Sequence, residues 1–446
     1  MKGWGLLVAA ALLAALSGAL YWSNHHKPSE ATAKAPADAP PKILDLKQDN
    51  ISRIDIRKKG TDDVALTRDA SGNWQIVSPK SYRADQNAVS SLISSAASLN
   101  SDRLLDSNAS NPAQYGLADP SFELDITEKN NSVHKLLIGD QAPAGNNSYA
   151  ALAGDPRIFM LGSYSKTSLT KSLNDLRDKR LLVFDSDKLS RVELNTGKQA
   201  FEFGRDKDQW QIVKPKPFRA DGSQVDDLIR QLTDAQIDLS GSAEGQKKSA
   251  AAFASGKPVA SAALTDPAGT QRLEVRKNKD DYYAKSSTAD GIYKVTSSLA
   301  TGFDKKLDDF RNKKLFDFGY ETPDKIEIRD GEKSYFFTHS GDDWWGPDGK
   351  KLDSMSADAL LDKVRDLAAN KFPDSGFTTP AVQIVVTPKG GKAAEKVLIA
   401  KSGNTYIAKR EGEPALYGIE PVFVTGLQKA AADVKPAALP PAEKKK

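Results

Sequence analysis

The side chains that could do chemistry are few in this chain, and their spacing limits what that chemistry could be. There are four histidines, His25, His26, His134 and His339. They are scattered, and no HExxH pair sets two of them on one helical face for zinc. There is no cysteine, which excludes disulfides, thiolate nucleophiles, iron–sulfur clusters and cysteine-based zinc sites. The glycine spacings of a phosphate loop, a dinucleotide turn and a nucleophile elbow are also absent. "GGK" at 390–392 lacks the first glycine of a phosphate loop and reads as a hairpin turn. Two features remain. Ser163 and Lys166, in "SYSK", have the SxxK spacing that puts a hydroxyl and an amine on one helical face, as in Ser–Lys hydrolases. No KTG follows; "KTS" stands there. Arg83 and Arg219 each stand two residues before an aspartate, where an arginine could hold an anion at a helix N-terminus.

Those arginines belong to a phrase written twice. "WQIVSPKSYRAD" occupies 74–85 and "WQIVKPKPFRAD" occupies 210–221. Alternating strands precede both: "SRIDI" then "VALTR", and "SRVEL" then "FEFGR". A third version runs "DKIEI", "SYFFT", then Trp344 or Trp345. After each tryptophan strand comes "AD" and a helical period. Val89, Leu92, Ile93 and Ala96 share one face, as do Val225, Leu228, Ile229 and Leu232, and Leu360, Leu361, Val364 and Leu367. Asp85, Asp221 and Asp358 are the expected helix caps. Further strands follow, aligned on Tyr149, Tyr283 and Tyr406, and a closing helix ends each copy. The second copy of "SYSK" reads "SSLA", without the lysine. The first two copies end in matched junctions, "RDKRLLVFD" and "RNKKLFDFG".

The expected fold class is therefore α+β: three tandem repeats of a β-β-β-α-β(n)-α domain of about 130 residues, each large enough for its own core. The expected divisions are 43–182, 183–316 and 317–434, with a disordered tail at 435–446. Upstream, residues 4–22 form an uncharged apolar run bordered by Trp4, Tyr21 and Trp22. It reads as a transmembrane anchor after a cytoplasmic end at 1–3. The rival reading is a signal peptide cut after the small residues Ser17 and Ala19. Ala19 also stands where a lipoprotein would need cysteine. Residues 23–42 are a linker rich in Pro and Ala. The expected location is a bacterial inner membrane, with the bulk of the chain periplasmic. Net charge is +4 over 446 residues, and no basic block is interleaved with aromatics, so nucleic acid is not an expected partner.

The run "GNWQIVSPKSYRAD", "QYGLADPSFELDI", "HKLLIGDQ" and "RDKRLLVFD" resembles a bacterial family, domain of unknown function 4340. The likeness is strongest over 43–185, good over 186–319 and weaker beyond. The third copy has no arginine before "AD", and the second has "FASGKP" in place of "YGL". The resemblance implies a membrane-anchored protein, in some members beside an ABC-type exporter of the gliding-motility kind. It brings no catalytic residue.

The sequence thus points to no catalytic residue, cofactor or metal. The leading expectation is a non-enzymatic scaffold or adaptor in an envelope membrane complex. A module for envelope glycan or another anionic ligand, acting through Arg83 and Arg219, is the alternative. A hydrolase built on Ser163 and Lys166 is the remoter one. Each repeated tryptophan is expected to pack a strand on a helix rather than stack on a sugar.

Overall fold

The computed structural model describes residues 41–143, 145–239 and 243–438. The expected anchor at 4–22, most of the linker and the last residues of the tail lie outside them. Among the described residues no helix is long and apolar enough to cross a membrane. The chain divides between Asp178 and Lys179 into two compact units.

The first unit runs β1 (Ile51–Lys58), β2 (Val64–Arg68), β3 (Trp74–Ser78), β4 (Tyr82–Arg83), α1 (Gln86–Ala97), β5 (Arg103–Asp106), β6 (Phe122–Glu128), β7 (Val133–Gln141), β8 (Ser148–Leu152), β9 (Ile158–Leu161), α2 (Ser163–Leu169) and α3 (Leu173–Leu176). Its strands form one sheet in the order β4-β3-β2-β1-β6-β7-β8-β9-β5.

The second unit holds two sheets. One contains β10 (Arg191–Asn195), β11 (Ala200–Asp206), β12 (Gln209–Lys214) and β13 (Phe218–Arg219). After α4 (Gly222–Thr233) and α5 (Ala243–Ser255) come β14 (Lys257–Asp266), β15 (Gly269–Asn278), β16 (Asp281–Ser286) and β17 (Ile292–Val295), then α6 (Ser297–Thr301) and α7 (Leu307–Phe310). The other contains β18 (Lys325–Asp330), β19 (Lys333–Ser340) and β20 (Asp343–Trp345). It continues through α8 (Ser354–Arg365) to β21 (Val382–Thr387), β22 (Glu395–Ser402), β23 (Thr405–Arg410) and β24 (Leu416–Ile419), and closes with α9 (Pro421–Asp433). Their orders, β13-β12-β11-β10-β14-β15-β16-β17 and β20-β19-β18-β21-β22-β23-β24, follow that of the first sheet.

Alternation explains these sheets. In β10, Val192 and Leu194 are buried while Arg191 and Glu193 turn to the other face. One face is therefore dry and one wet, as antiparallel sheets allow. On the dry face Trp74 and Ile76 join Val89, Leu92, Ile93 and Ala96 of α1 in one cluster. Trp210 does the same with α4, and Trp344, not Trp345, with α8. Each fully buried aliphatic side chain contributes roughly 1.5–3 kcal/mol. Beside each tryptophan ring lies a side chain from the neighbouring strand: Arg68 over Trp74 at 5.1 Å, Arg205 over Trp210 at 5.5 Å, and His339 edge-on to Trp344 at 5.0 Å.

Asp85 caps α1 by accepting from the amides of Asn87 and Ala88, and Asp221 caps α4 through those of Ser223 and Gln224. The third cap is Asp353, not Asp358. The "AD" at 357–358 lies inside α8, and Asp358 accepts instead from the indole N–H of Trp344 at 3.2 Å. The backbone gives the true correspondence. Ala84 bridges Arg177, Ala220 bridges Arg311, and Leu352 bridges Pro436. Leu352-Asp353 therefore stands where Ala84-Asp85 and Ala220-Asp221 do. Residues 435–437, at the start of the expected tail, are held in this bridge: Asp353 N–H donates to Lys435 O, and Ala437 N–H to Lys351 O, both at 2.9 Å.

Two closing helices are broken. Asp175 accepts from the Ser172 amide and Asp309 from the Lys306 amide, both at 2.8 Å. Each aspartate starts a new turn where a continuous helix was expected. The register also moves one tyrosine match. Lys401 opposes Tyr406 and Lys277 opposes Tyr282, so the partner of Tyr406 is Tyr282, not Tyr283.

Asp353→Ala should destabilise the second unit by about 1 kcal/mol, the usual cost of a lost cap. Asp358→Asn, which keeps an acceptor for Trp344, should cost less. Chemical denaturation of both variants checks this ordering.

Candidate functional site

The two arginines of the repeated phrase turn inward. Arg219 leaves β13 beside the junction that follows α7, and its side chain is only 14% exposed. It donates to the Asp317 carboxylate and to the Lys314 carbonyl. Its Nε lies 3.0 Å from Glu413, and it donates to the Tyr417 hydroxyl at 3.2 Å. That hydroxyl in turn donates to Glu413 at 2.7 Å. A second guanidinium shares the cluster. Arg410 donates to Leu315 O at 2.8 Å and lies 2.9 Å from Glu413 and 3.3 Å from both Asp317 and Glu395. Glu395 accepts the Asp317 amide at 2.8 Å. Residues from the second sheet, the junction and the third sheet thus meet around two arginines.

Arg311, the first residue of that junction, completes the contact. It is 8% exposed, with its guanidinium 4.1 Å from the ring of Phe218 and 3.7 Å from that of Phe372. A desolvated cation between two rings gains roughly 2 kcal/mol from each favourable face. The first unit repeats the inner half of this device: Arg177 lies 4.2 Å over the Tyr82 ring, and Arg83 stands 3.9 Å from the buried Asp178.

The electrostatics follow the packing. Burial alone would lower the Arg219 pKa, but the charges of Asp317, Tyr417 and Glu413 outweigh it and raise the pKa above the ordinary value. Burial lowers that of Arg311, against the opposing pull of the Asp308 carboxylate 3.4 Å away. Burial raises Glu395, against the Asp317 amide and Arg410, and burial likewise raises Tyr417.

The second sheet carries the same socket in neutral form. Gln271 occupies the place of Glu395. Its side chain accepts the Val183 amide at 2.8 Å and donates to the Val183 carbonyl. Ser286 stands where Arg410 does and donates to the Leu181 carbonyl, as Arg410 does to Leu315. The acids of the ionic version, Asp317, Glu395 and Glu413, carry no repeated letter, so alignment of the copies passes over them. The legible signals were Arg219 of the repeated phrase and the arginine that opens both junctions.

The other sequence candidates have partners of their own. Ser163 and Lys166 share α2, but the Lys166 ammonium donates to the Ser148 hydroxyl at 2.8 Å, and Ser148 is fully buried. His134 lies 3.1 Å from the Glu128 carboxylate in the first sheet, and His339 sits on Trp344 in the third. Among the described residues no group of three or more His, Asp or Glu is placed to hold a metal ion.

Arg219→Met should destabilise the second unit by about 1–3 kcal/mol, because it removes the cation shared by the half-buried Glu413 and the more exposed Asp317. Glu395→Gln should be tolerated far better, since Gln271 already makes the equivalent contact. The pH response distinguishes that pair. Wild type should gain stability relative to Glu395→Gln as pH falls through the raised Glu395 pKa, with the gain complete below the ordinary glutamate value. Denaturation midpoints across the acidic range read both effects.

The family model described as Domain of unknown function (DUF4340) matches residues 74–253 and again residues 210–383. Each match opens on the tryptophan of the repeated phrase. No curated protein and no solved structure matches the chain. The two matches together cover more than half of the sequence, and the chain belongs to the family of that domain of unknown function.

Proposed function

We propose that this protein is a non-enzymatic adaptor of the bacterial envelope: three repeated domains held by one N-terminal anchor at the inner membrane, exposed to the periplasm, and docked on a membrane complex. The observation that carries the reading is the use of Arg219. The repeated phrase looks like a preserved site, yet its arginine is consumed by Asp317, Glu413 and Tyr417 of the same chain. An anion arriving there would have to displace carboxylates already in place. A copy number of three supports the same view, since reach and multivalent contact grow with copies while one catalytic constellation does not. The exporter-type partner rests on the family resemblance, and the anchor on the apolar run at 4–22.

Crosslinking in living cells, followed by purification of the full-length chain from the membrane fraction, tests this reading. The same inner-membrane proteins should be recovered in repeated experiments, and they should be lost when residues 1–26 are removed. Recovery of the chain alone, or its appearance in the cytosol, would overturn it.

A further inference from the structure

The wet faces of the three sheets differ at one place. In the first sheet, Asp125 of β6 lies between Asp55 of β1 and Lys135 of β7. Its carboxylate is 3.0 Å from Arg57 and 3.5 Å from Lys135, and the neighbouring Glu123 is 3.1 Å and 3.4 Å from the same two cations. Four charges close that face. The register of the second sheet puts Asn195, Ser261, Ala263 and Arg272 in the positions of Arg57, Glu123, Asp125 and Lys135. Three charges have gone and one cation remains. The third sheet fills the same place with Gln383 and Val385, and its cation, Lys396, pairs with Glu411 at 2.9 Å.

Removing those side chains opens a groove of about 490 Å³ over Ala263 and Ser261. Its acidic wall is already neutralised: Glu202 lies 2.9 Å from Arg191 and 2.6 Å from Lys214, and Glu193 lies 2.8 Å from Arg191. Its basic wall is not. Lys285 faces Glu274 across the ladder, but Glu274 is held by Arg276 at 2.7 Å. Among the described residues neither the Arg272 guanidinium nor the Lys285 ammonium has an ion-pair partner.

We propose that this groove binds a small organic carboxylate, whose anionic group pairs with Arg272 in the place that Asp125 holds in the first sheet. The body of the ligand lies along the floor made by Ala263, Ser261 and Ala200, and Lys285 adds a second positive charge at the rim. A guanidinium suits a carboxylate because its N–H fork matches the two oxygens. Ala263 makes the room and Arg272 supplies the charge. This holds whether or not the chain is an adaptor, and it concerns neither Arg83 nor Arg219.

The test is a titration of the full-length protein in detergent with sodium hexanoate and, separately, with galacturonate, followed by saturation-transfer NMR at low salt. The first probe represents a free acyl carboxylate and the second the acidic sugar of a glycan; whichever binds more tightly identifies the source. Saturable binding of at least one is expected, weakened about tenfold or more in Arg272→Gln. Ala263→Asp should abolish it by restoring the ion pair of the first sheet, and its thermal midpoint should not fall below that of wild type. Ala263→Val, which copies the third sheet, should block binding without adding charge, and it keeps the test sound if the aspartate variant folds poorly. The proposal is overturned if neither carboxylate binds saturably up to about 20 mM, or if binding survives unchanged in both Arg272→Gln and Ala263→Val.

Discussion

A guanidinium largely withdrawn from water must be matched by acceptors, and the contact between the two sheets of the second unit is organised around that requirement. Arg219 is held between a carboxylate from the junction and a carboxylate and phenol from the third sheet. Removing the acids would leave Arg219, only 14% exposed, with its charge poorly matched, which is the costlier side of the contact. The backbone bridge from Ala220 to Arg311 aims the side chain, and the ring–cation–ring stack of Phe218, Arg311 and Phe372 fixes the distance across the contact. In the second unit each part of the repeated phrase has a structural contact: Trp210 packs, Asp221 caps, and Arg219 reaches from one sheet to the next.

The same socket is built in two chemistries. Gln271 and Ser286 receive the chain at Leu181–Val183 with neutral hydrogen bonds. Glu395 and Arg410 receive it at Leu315–Asp317 with charged ones. The geometry is common, and the side chains differ in what they must neutralise. A neutral socket brings no desolvation penalty for ions. An ionic one does, but it discriminates more sharply against a wrong neighbour. The wet sheet faces show such a substitution at one place: the first sheet sets four charges there, and the second keeps only Arg272 at the matched positions.

Much of the fold was legible in the letters, because period-2 alternation and the i, i+3, i+4 stripe are direct consequences of strand and helix geometry. Trp74 and Trp210, the helix faces and the caps Asp85 and Asp221 fall where the pattern put them. The failures have physical causes. Ala357-Asp358 matched the phrase by letter, but a shorter turn at 346–350, closed by the bridge of Trp345 to Lys351, brings the helix start forward to Asp353. Asp175 and Asp309 break the closing helices by capturing an amide three residues back, a local competition that hydrophobic periodicity does not register. The helix α5 was missed because its stripe is mostly alanine; Phe253 anchors it under Arg276, 4.6 Å from the guanidinium. The site was the least legible part. Its acids come from the junction, from β22 and from the turn between β23 and β24, and they recur in no other copy. Ser163 and Lys166 share the helical spacing read from the sequence, but Lys166 donates to Ser148 instead.

The most direct measurement is a double-mutant cycle between Arg219→Met and Glu413→Gln, read as the unfolding free energy of the full-length protein. If Arg219 fastens the second and third sheets through this pair, the two changes will be strongly non-additive, with a coupling energy of about 1–3 kcal/mol. Additive effects, with coupling near zero, would contradict the account and return Arg219 to the candidates for binding a ligand.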